Sequence, residues 1–297
     1  MNFGQVLTAM ATPFNAQGGV CEESVIRLVN HLLDNGSDGI VVCGTTGESP
    51  TLTHVEKIRL FSLVKQTVGN RGAVIAGTGG NDTSASVSLS KEAVETGVDA
   101  LLLVVPPYNK PSQEGIYRHF HAIAQSVPNT PCILYNVPGR TAQTMSAATT
   151  IRLSRDVENI VATKEASGDL MLVADIVANV RKGFSVYSGD DGLALPILAA
   201  GGIGIVSVSA HLIGKDMKAM HVAFANGDHE EAVRLNGKML PVVRALFQAT
   251  TPSPAPLKAA LNMMGLQVGG LRLPLVEADA NEQEIIRTAL KEYGILD

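Results

Sequence analysis

Short runs of valine, isoleucine, leucine and alanine recur along the chain, at VLTAMA (6–11), GIVVCG (39–44), AVIAG (73–77), ALLLVV (100–105), CILYN (132–136), IVATK (160–164), SVYSG (185–189) and GIVSVS (204–209). Near-continuous apolar runs of this length, bounded by polar or glycine-rich segments, predict about eight strands buried on both faces. Most of the intervening segments carry a helical period instead. Glu22 to Asn35 puts Val25, Ile26, Val29, Leu32 and Leu33 on one face, and His54 to Val68 does the same with Val55, Ile58, Phe61 and Val64. Two junctions, LLDNGSDGIVV and AVETGVDALLL, form a weak internal repeat: a helix ends at Gly36 or Gly97, and the chain passes through an aspartate into a strand. Glycine just past a helix is the usual left-handed cap, and the acid is expected to bond to the backbone of the turn.

Strand followed by helix, about eight times over roughly 225 residues, is the pattern of an α/β fold of the (β/α)8 TIM-barrel type. The competing arrangement, an open doubly wound sheet, commonly carries a glycine-rich nucleotide turn after its first strand, and TPFNAQGG has no such fingerprint. After Ala225 the strand pattern stops. Met217 to Ala225, His229 to Ala249, Pro256 to Met264 and Asn281 to Tyr293 read as helices, with TTPSPAP and GGLRLP as breaks. The expected organisation is a barrel over residues 1–225 that carries the site, followed by a small C-terminal helical region over residues 226–297.

Composition narrows the function classes. The 297 residues are 45% hydrophobic and 17% charged, with a net charge of −5 and no basic block, so nucleic acid and membrane surfaces are poor partners. No apolar run approaches the length of a membrane span, and the first residues, MNFGQVLTAMATPF, do not read as a signal peptide. Cys21, Cys43 and Cys132 are far apart and outside any paired metal spacing, which suits a reducing cytoplasm; Cys43 and Cys132 sit in apolar runs as small core residues. His119 and His121 point apart on a helix, and no metal site is expected.

Barrels of this type place their chemistry at the C-terminal ends of the strands. Those ends read TP (12–13), GTTGES (44–49), GTGGN (77–81), PPYN (106–109), YNVPGRT (135–141), Lys164, SGDD (188–191) and SVS (207–209). The set is rich in hydroxyls and phenols and poor in carboxylates, which argues against metal-assisted chemistry and paired-carboxylate glycoside hydrolysis. It suits a carbonyl substrate carrying an anionic group: a lysine amine for a Schiff base, a tyrosine to move protons, and hydroxyls with backbone N–H groups to hold a carboxylate. A lysine just past a strand is ordinarily a solvated end. As about the sixth strand of a barrel, however, Lys164 points its amine into the mouth. The pattern leaves Tyr135 open as a core tyrosine, Tyr108 as a loop anchor, Thr45 and Thr46 as turn residues before a helix starting near Thr53, and Arg140 as a solvated loop charge.

Five motifs in this order, GTTGESPTLTHVEK, PPYNKPSQEG, YNVPGRT, ATKEASGD and GGIGIVSV, resemble the Schiff-base aldolase family that includes dihydrodipicolinate synthase and N-acetylneuraminate lyase. The similarity runs from about Val6 into the helical tail. The resemblance implies an imine between Lys164 and the ketone of pyruvate, without a separate cofactor, whose enamine attacks an aldehyde. It implies that Tyr135 is the proton donor, linked through Thr45 to Tyr108 of a neighbouring subunit, so that a homodimer, commonly paired into a dimer of dimers, is the catalytic unit. Thr46, Gly189 and Val206 match the positions that hold pyruvate, with Thr46 at its carboxylate. Arg140 matches the arginine that receives the carboxylate of L-aspartate 4-semialdehyde in the synthase branch, a task that suits a guanidinium fork. Sugar-acid and sialic-acid aldolases tend to replace this segment with apolar residues. The implied reaction is condensation of pyruvate with L-aspartate 4-semialdehyde, then cyclisation and release, in diaminopimelate and lysine synthesis. Another pyruvate-dependent aldolase, or a non-catalytic keto-acid-binding barrel, is the alternative. Lysine-inhibited members resemble the chain at Ser49, His54 and Asn81, but generally carry histidine in place of Lys57, glutamate in place of Ala85 and tyrosine in place of Pro107. The effector site is therefore expected to be degenerate and inhibition by lysine weak or absent.

Overall fold

The computed structural model, which describes residues 3–248 and 250–297, places a strand at each apolar run. These are β1 (Val6–Ala9), β2 (Gly39–Val42), β3 (Ala73–Gly77), β4 (Ala100–Val104), β5 (Cys132–Asn136), β6 (Ile160–Glu165), β7 (Ser185–Ser188) and β8 (Gly204–Ser207). They pair in parallel in chain order and close with β1 against β8, which leaves the sheet without an edge. Alternation along the strands divides the apolar residues into two layers. Leu7, Val41, Ile75, Leu102, Ile133 and Tyr187 pack together inside the barrel. Val6, Ile40, Val74, Leu101 and Leu134 belong to the outer core, under the helices.

The helices between strands are α1 (Glu22–Asp34), α2 (His54–Val68), α3 (Thr83–Glu95), α4 (Gln113–Ser126), the single turn α5 (Pro138–Thr141), α6 (Ala147–Asp156), α7 (Leu170–Asn179), α8 (Ala194–Ala199) and α9 (Ala210–Ala225). The start expected near Thr53 is a capping box: the Thr53 side chain accepts from Glu56 N, and the Glu56 carboxylate accepts from Thr53 N. The expected apolar faces need correction at two positions. Ile26 is 40% exposed, and the buried stripe of α1 runs through Val25, Leu28, Val29 and Leu32. Val55 is 75% exposed, while Leu60, Phe61, Val64 and Val68 carry the core contact of α2. At about 100° per residue, Val55 stands roughly 120° around the helix from Phe61, outside the stripe that meets the barrel.

Gly36 and Gly97 take positive φ, +96° and +83°, just past α1 and α3 as expected. The aspartates after them act differently from expectation. Asp38 Oδ2 accepts from Gln5 N (2.7 Å) and Val6 N (3.0 Å) at the start of β1, and Asp99 Oδ2 accepts from Val74 N (2.8 Å) in β3. Each acid thus satisfies the first donors of the preceding strand instead of its own turn, because the glycine cap brings it in beside that strand's N-terminal end. A helix-borne lysine balances each charge: Lys218 lies 2.5 Å from Asp38, and Lys65 lies 2.7 Å from Asp99.

Beyond the turn at Asn226 and Gly227 the chain forms α10 (His229–Leu246), α11 (Ala255–Met263) and α12 (Ala280–Tyr293). Ala249, the expected end of the first of these helices, lies outside the described residues. Val242, Leu246, Leu257, Leu261 and Ile286 join the same apolar cluster as Val25 and Met217 of the barrel helices, so the two parts of the chain share a core. Cys43 and Cys132 are buried, and desolvation pushes both thiols up to about 12, which makes them packing residues. No helix among the described residues is long and apolar enough to cross a membrane.

The Asp38 junction carries a measurable share of the stability. Asp38→Ala strands two backbone donors and Lys218, and is expected to cost about 1–3 kcal/mol in urea unfolding, whereas Asp38→Asn, which keeps an acceptor oxygen, is expected to fall between the two. Equal midpoints for all three proteins would remove this role.

Candidate active site

Lys164 is the fifth residue of β6, and its side chain follows that of Ala162 into the barrel interior. In the strand register it stands beside Tyr135 of β5 and Tyr187 of β7. Only 5% of Lys164 is exposed, and Nζ lies 4.1 Å from the centroid of the Tyr135 ring. Among the described residues this amine has no carboxylate and no hydrogen-bond acceptor within reach. A lysine that is buried and unpaired is rare in a folded protein.

Gly189, the residue after β7, gives the lysine stem its room. A Cβ there would stand 2.9 Å from Lys164 Cε and 2.8 Å from Ala166 Cβ, and Gly189 N is bonded to Glu165 O at 2.7 Å. Val206 of β8 faces the same interior as Tyr135. Thr45 and Thr46 lie in the turn after β2, with Thr46 buried and Thr45 half-buried. Like Tyr135, neither makes a side-chain hydrogen bond among the described residues. Lys164, Tyr135, Gly189 and Val206 are therefore brought together around the barrel interior, and the two threonines stand on the turn after β2, a strand that pairs with none of those carrying the other four.

Three polar ties behind the mouth escaped the sequence reading. Glu165 points away from the interior and accepts from Asn136 Nδ2 (3.0 Å) and Ser167 N (2.8 Å), joining the ends of β5 and β6. Asp191 Oδ2 accepts from Val208 N, Ser209 N and Ser209 Oγ, joining the loops that follow β7 and β8. Burial pushes both carboxyls up, and hydrogen bonds to Ser167 and Asn136, or to Ser207 and Ser209, oppose it. His211 joins β8 to β1. Its Nε2 accepts from Ala11 N at 3.2 Å, which leaves Nδ1 to donate to Val208 O at 2.7 Å, and burial holds its pKa down at about 4, so it is neutral. The available signal was an acid directly after Lys164 in a strand, since alternation must send one of the two away from the interior.

Arg140 lies on α5, exposed, and donates from Nη2 to Ser253 O at 3.0 Å, a contact between the loop after β5 and the C-terminal region. Tyr108 is 91% exposed and takes φ +72°, so it stands clear of its own chain. His54, Lys57, Asn81 and Ala85 surround one cleft of about 190 Å³ beside α2 and α3, and Ser49 is not part of its lining. Burial holds Lys57 below the ordinary lysine range, and His54 is engaged with Glu92 at 2.8 Å. Among the described residues no group of three or more histidine, cysteine, aspartate or glutamate side chains is arranged to hold a metal ion.

The chain is similar to a well-sampled group of proteins. The model of the Dihydrodipicolinate synthetase family matches residues 2–293. The 4-hydroxy-tetrahydrodipicolinate synthase of Moorella thermoacetica is 55% identical, covering 100% of both chains. Dihydrodipicolinate synthase from Bacillus anthracis superposes with a TM-score of 0.95 at 49% identity over 98% of each chain. The lysine-bound enzyme from Cyanidioschyzon merolae does so with a TM-score of 0.97 at 45% identity over 99% of each. With a family match that spans almost the whole sequence and a relative more than half identical from end to end, the chain belongs to the dihydrodipicolinate synthetase family.

Proposed function

We propose that the chain is a lyase of the class I aldolase type, condensing pyruvate with L-aspartate 4-semialdehyde in lysine and diaminopimelate synthesis, and that the reaction runs through an imine on Lys164. The observation that carries the reading is the unpaired amine of Lys164 beside the Tyr135 ring, on a side chain otherwise buried in the barrel, in a chain 55% identical to a 4-hydroxy-tetrahydrodipicolinate synthase. The amine attacks the ketone carbon of pyruvate and water leaves, giving an imine. Loss of a methyl proton then gives an enamine, whose carbon attacks the aldehyde carbon of the second substrate. The amino group of that substrate finally attacks the imine carbon, which closes the ring and releases Lys164. Electrons are supplied by no outside donor in this sequence, so a separate cofactor has no step to perform.

Tyr135 is suited to deliver and remove the protons of carbinolamine formation and dehydration, because its ring already lies against Lys164. Thr45 and the Tyr108 of a second subunit extend that relay, and Thr46 with the backbone near Gly189 and Val206 holds the pyruvate carboxylate. The exposed, outward-held Tyr108 supports a homodimer as the catalytic unit, paired into a tetramer. Three free cysteines suit a reducing cytoplasm. Arg140, at the rim of the site, offers its guanidinium to the carboxylate of the semialdehyde.

The effector cleft supports a difference from lysine-binding relatives. Lys57 presents a cation where a ligand ammonium would lie, and Ala85 offers no carboxylate to balance it.

Borohydride reduction in the presence of pyruvate is expected to place a stable adduct on the peptide containing Lys164, and an adduct elsewhere or none at all would sink the mechanism. Lys164→Ala should lower kcat/KM at least about a thousandfold. Arg140→Ala should lower kcat/KM for the semialdehyde by roughly a hundredfold while leaving pyruvate trapping intact, and loss of trapping would reassign its partner. Submillimolar L-lysine should leave the initial rate unchanged; clear inhibition of the purified enzyme would overturn the account of Lys57 and Ala85.

A further inference from the structure

Glu48 and Lys258 form an ion pair that the chemistry above does not use. Both side chains are 1% exposed, and Lys258 Nζ stands 2.7 Å from Glu48 Oε1. The pair joins distant parts of the chain, since Glu48 closes the turn after β2 and Lys258 lies on α11. Glu48 Oε2 accepts from Arg272 N at 3.0 Å. Lys258 also donates to Gly270 O at 2.6 Å and lies 4.1 Å above the Phe14 ring. The Arg272 guanidinium, over the same ring, donates to Gly18 O (2.8 Å), Thr51 O (2.7 Å) and Glu56 Oε2 (2.9 Å). Each charged group is thus held at several points, and the ties to Glu48, Thr51 and Glu56 lead to the segment that follows β2, while those to Phe14 and Gly18 lead to the loop after β1.

That segment carries Thr45 and Thr46. Glu48 takes φ +56°, a left-handed conformation uncommon for a residue with a side chain. Its N–H donates to Thr45 O at 3.0 Å, so the position of Glu48 is passed directly to the threonine backbone. From the other side, Thr12 Oγ1 donates to Gly47 O at 2.7 Å. Gly47 has little freedom to move, because a Cβ there would meet Met10 O at 3.1 Å. The turn is therefore held between the end of β1 and the C-terminal region.

Burying two charges costs desolvation, and apolar residues of similar size commonly stabilise as well or better. What an apolar pair lacks is direction. The carboxylate of Glu48 is fixed by the hydrogen bond from Arg272 N to Oε2, while Oε1 lies 2.7 Å from Lys258 Nζ as an ion pair outside hydrogen-bond geometry, and the two contacts together orient the turn. We propose that the Glu48–Lys258 pair, together with Arg272, is a positioning device through which the C-terminal helical region sets the Thr45 and Thr46 hydroxyls against the keto acid. The inference rests on the reading of those two threonines given under the proposed function.

The test is a charge-free double variant, Glu48→Gln with Lys258→Met, assayed in the full-length protein for melting temperature, both KM values, kcat and the rate of borohydride-trapped adduct formation. Melting is expected to stay close to that of the parent, while KM for pyruvate rises about tenfold or more and trapping slows in proportion, with KM for the semialdehyde little changed. A double variant with parental melting and parental pyruvate KM would overturn the proposal, as would an equal rise in both KM values, which marks a general loosening. If that protein does not fold, Arg272→Lys keeps the charge and the backbone donor but loses the guanidinium fork. It is expected to raise the pyruvate KM about threefold or more without a matching loss of stability, and an unchanged KM in a folded Arg272→Lys protein counts against the device. Absence of pyruvate trapping in the parent protein would instead refute the imine mechanism, so the two failures are distinct.

Discussion

The parallel pairing of β6 with β5 on one side and β7 on the other is the constraint on which the site depends. It fixes both the height of Lys164 and the side of the sheet on which its amine lies, beside Tyr135 and Tyr187. A slip of one residue would send Lys164 to the helices and bring Glu165 into the barrel. The structure guards against that exchange from outside. Asn136 stands opposite Glu165 in the register just as Tyr135 stands opposite Lys164, and the Asn136 amide is bonded to the Glu165 carboxylate. The outer pair and the inner pair therefore specify the same alignment, one by hydrogen bonds and the other by the contact of an amine with a ring.

Where the strand ladders stop, side chains continue the closure. Thr12 reaches the turn after β2, Asn136 and Glu165 link the ends of β5 and β6, Asp191 links the loops after β7 and β8, and His211 links the segment after β8 to Ala11. These groups are buried and bonded across the strand ends, with Asp191 Oδ1 the one oxygen among them left without a partner, so the bonds they make must offset the cost of burying polar atoms. The mouth of the barrel is consequently a ring of directed bonds surrounding a few groups that have none: the amine of Lys164, the phenol of Tyr135 and the hydroxyls of Thr45 and Thr46. Rigid surroundings with unengaged polar groups at the centre are what a preorganised binding site requires.

The barrel was legible in the sequence because parallel strands covered on both faces must be continuously apolar, and every such run became a strand. The glycine caps at Gly36 and Gly97 and the Thr53 capping box were legible for a similar reason: each is a local solution to unsatisfied backbone groups. What stayed hidden is set by neighbours. Val55 and Ile26 fit a helical period yet face outward, since periodicity gives a helix a stripe but not the side from which the barrel approaches. Asp38 and Asp99 bond to strands that precede them, a relation decided by strand adjacency. Lys164 stood out by its place at a strand end, whereas Glu48, Lys258 and Arg272 gave no local signal, because each is an ordinary charged residue until the fold brings them to one point.

In the dimer proposed above, Tyr108 extends the same dependence beyond a single chain. Its loop is not loose: Asn109 Nδ2 donates to Asn81 O at 2.8 Å, and Asn109 N donates to Pro107 O at 2.8 Å, with prolines on both sides of the segment. A left-handed backbone and an exposed aromatic ring both carry a cost in an isolated molecule; the hydrogen bonds of Asn109 support the backbone, while the ring itself stays 91% exposed. Holding the ring outward in advance removes much of the ordering cost when a second copy docks. In the proposed dimer the strain and exposure at Tyr108 are then the counterpart of the unengaged Thr45 in the opposite barrel, and each chain supplies what the other's site lacks.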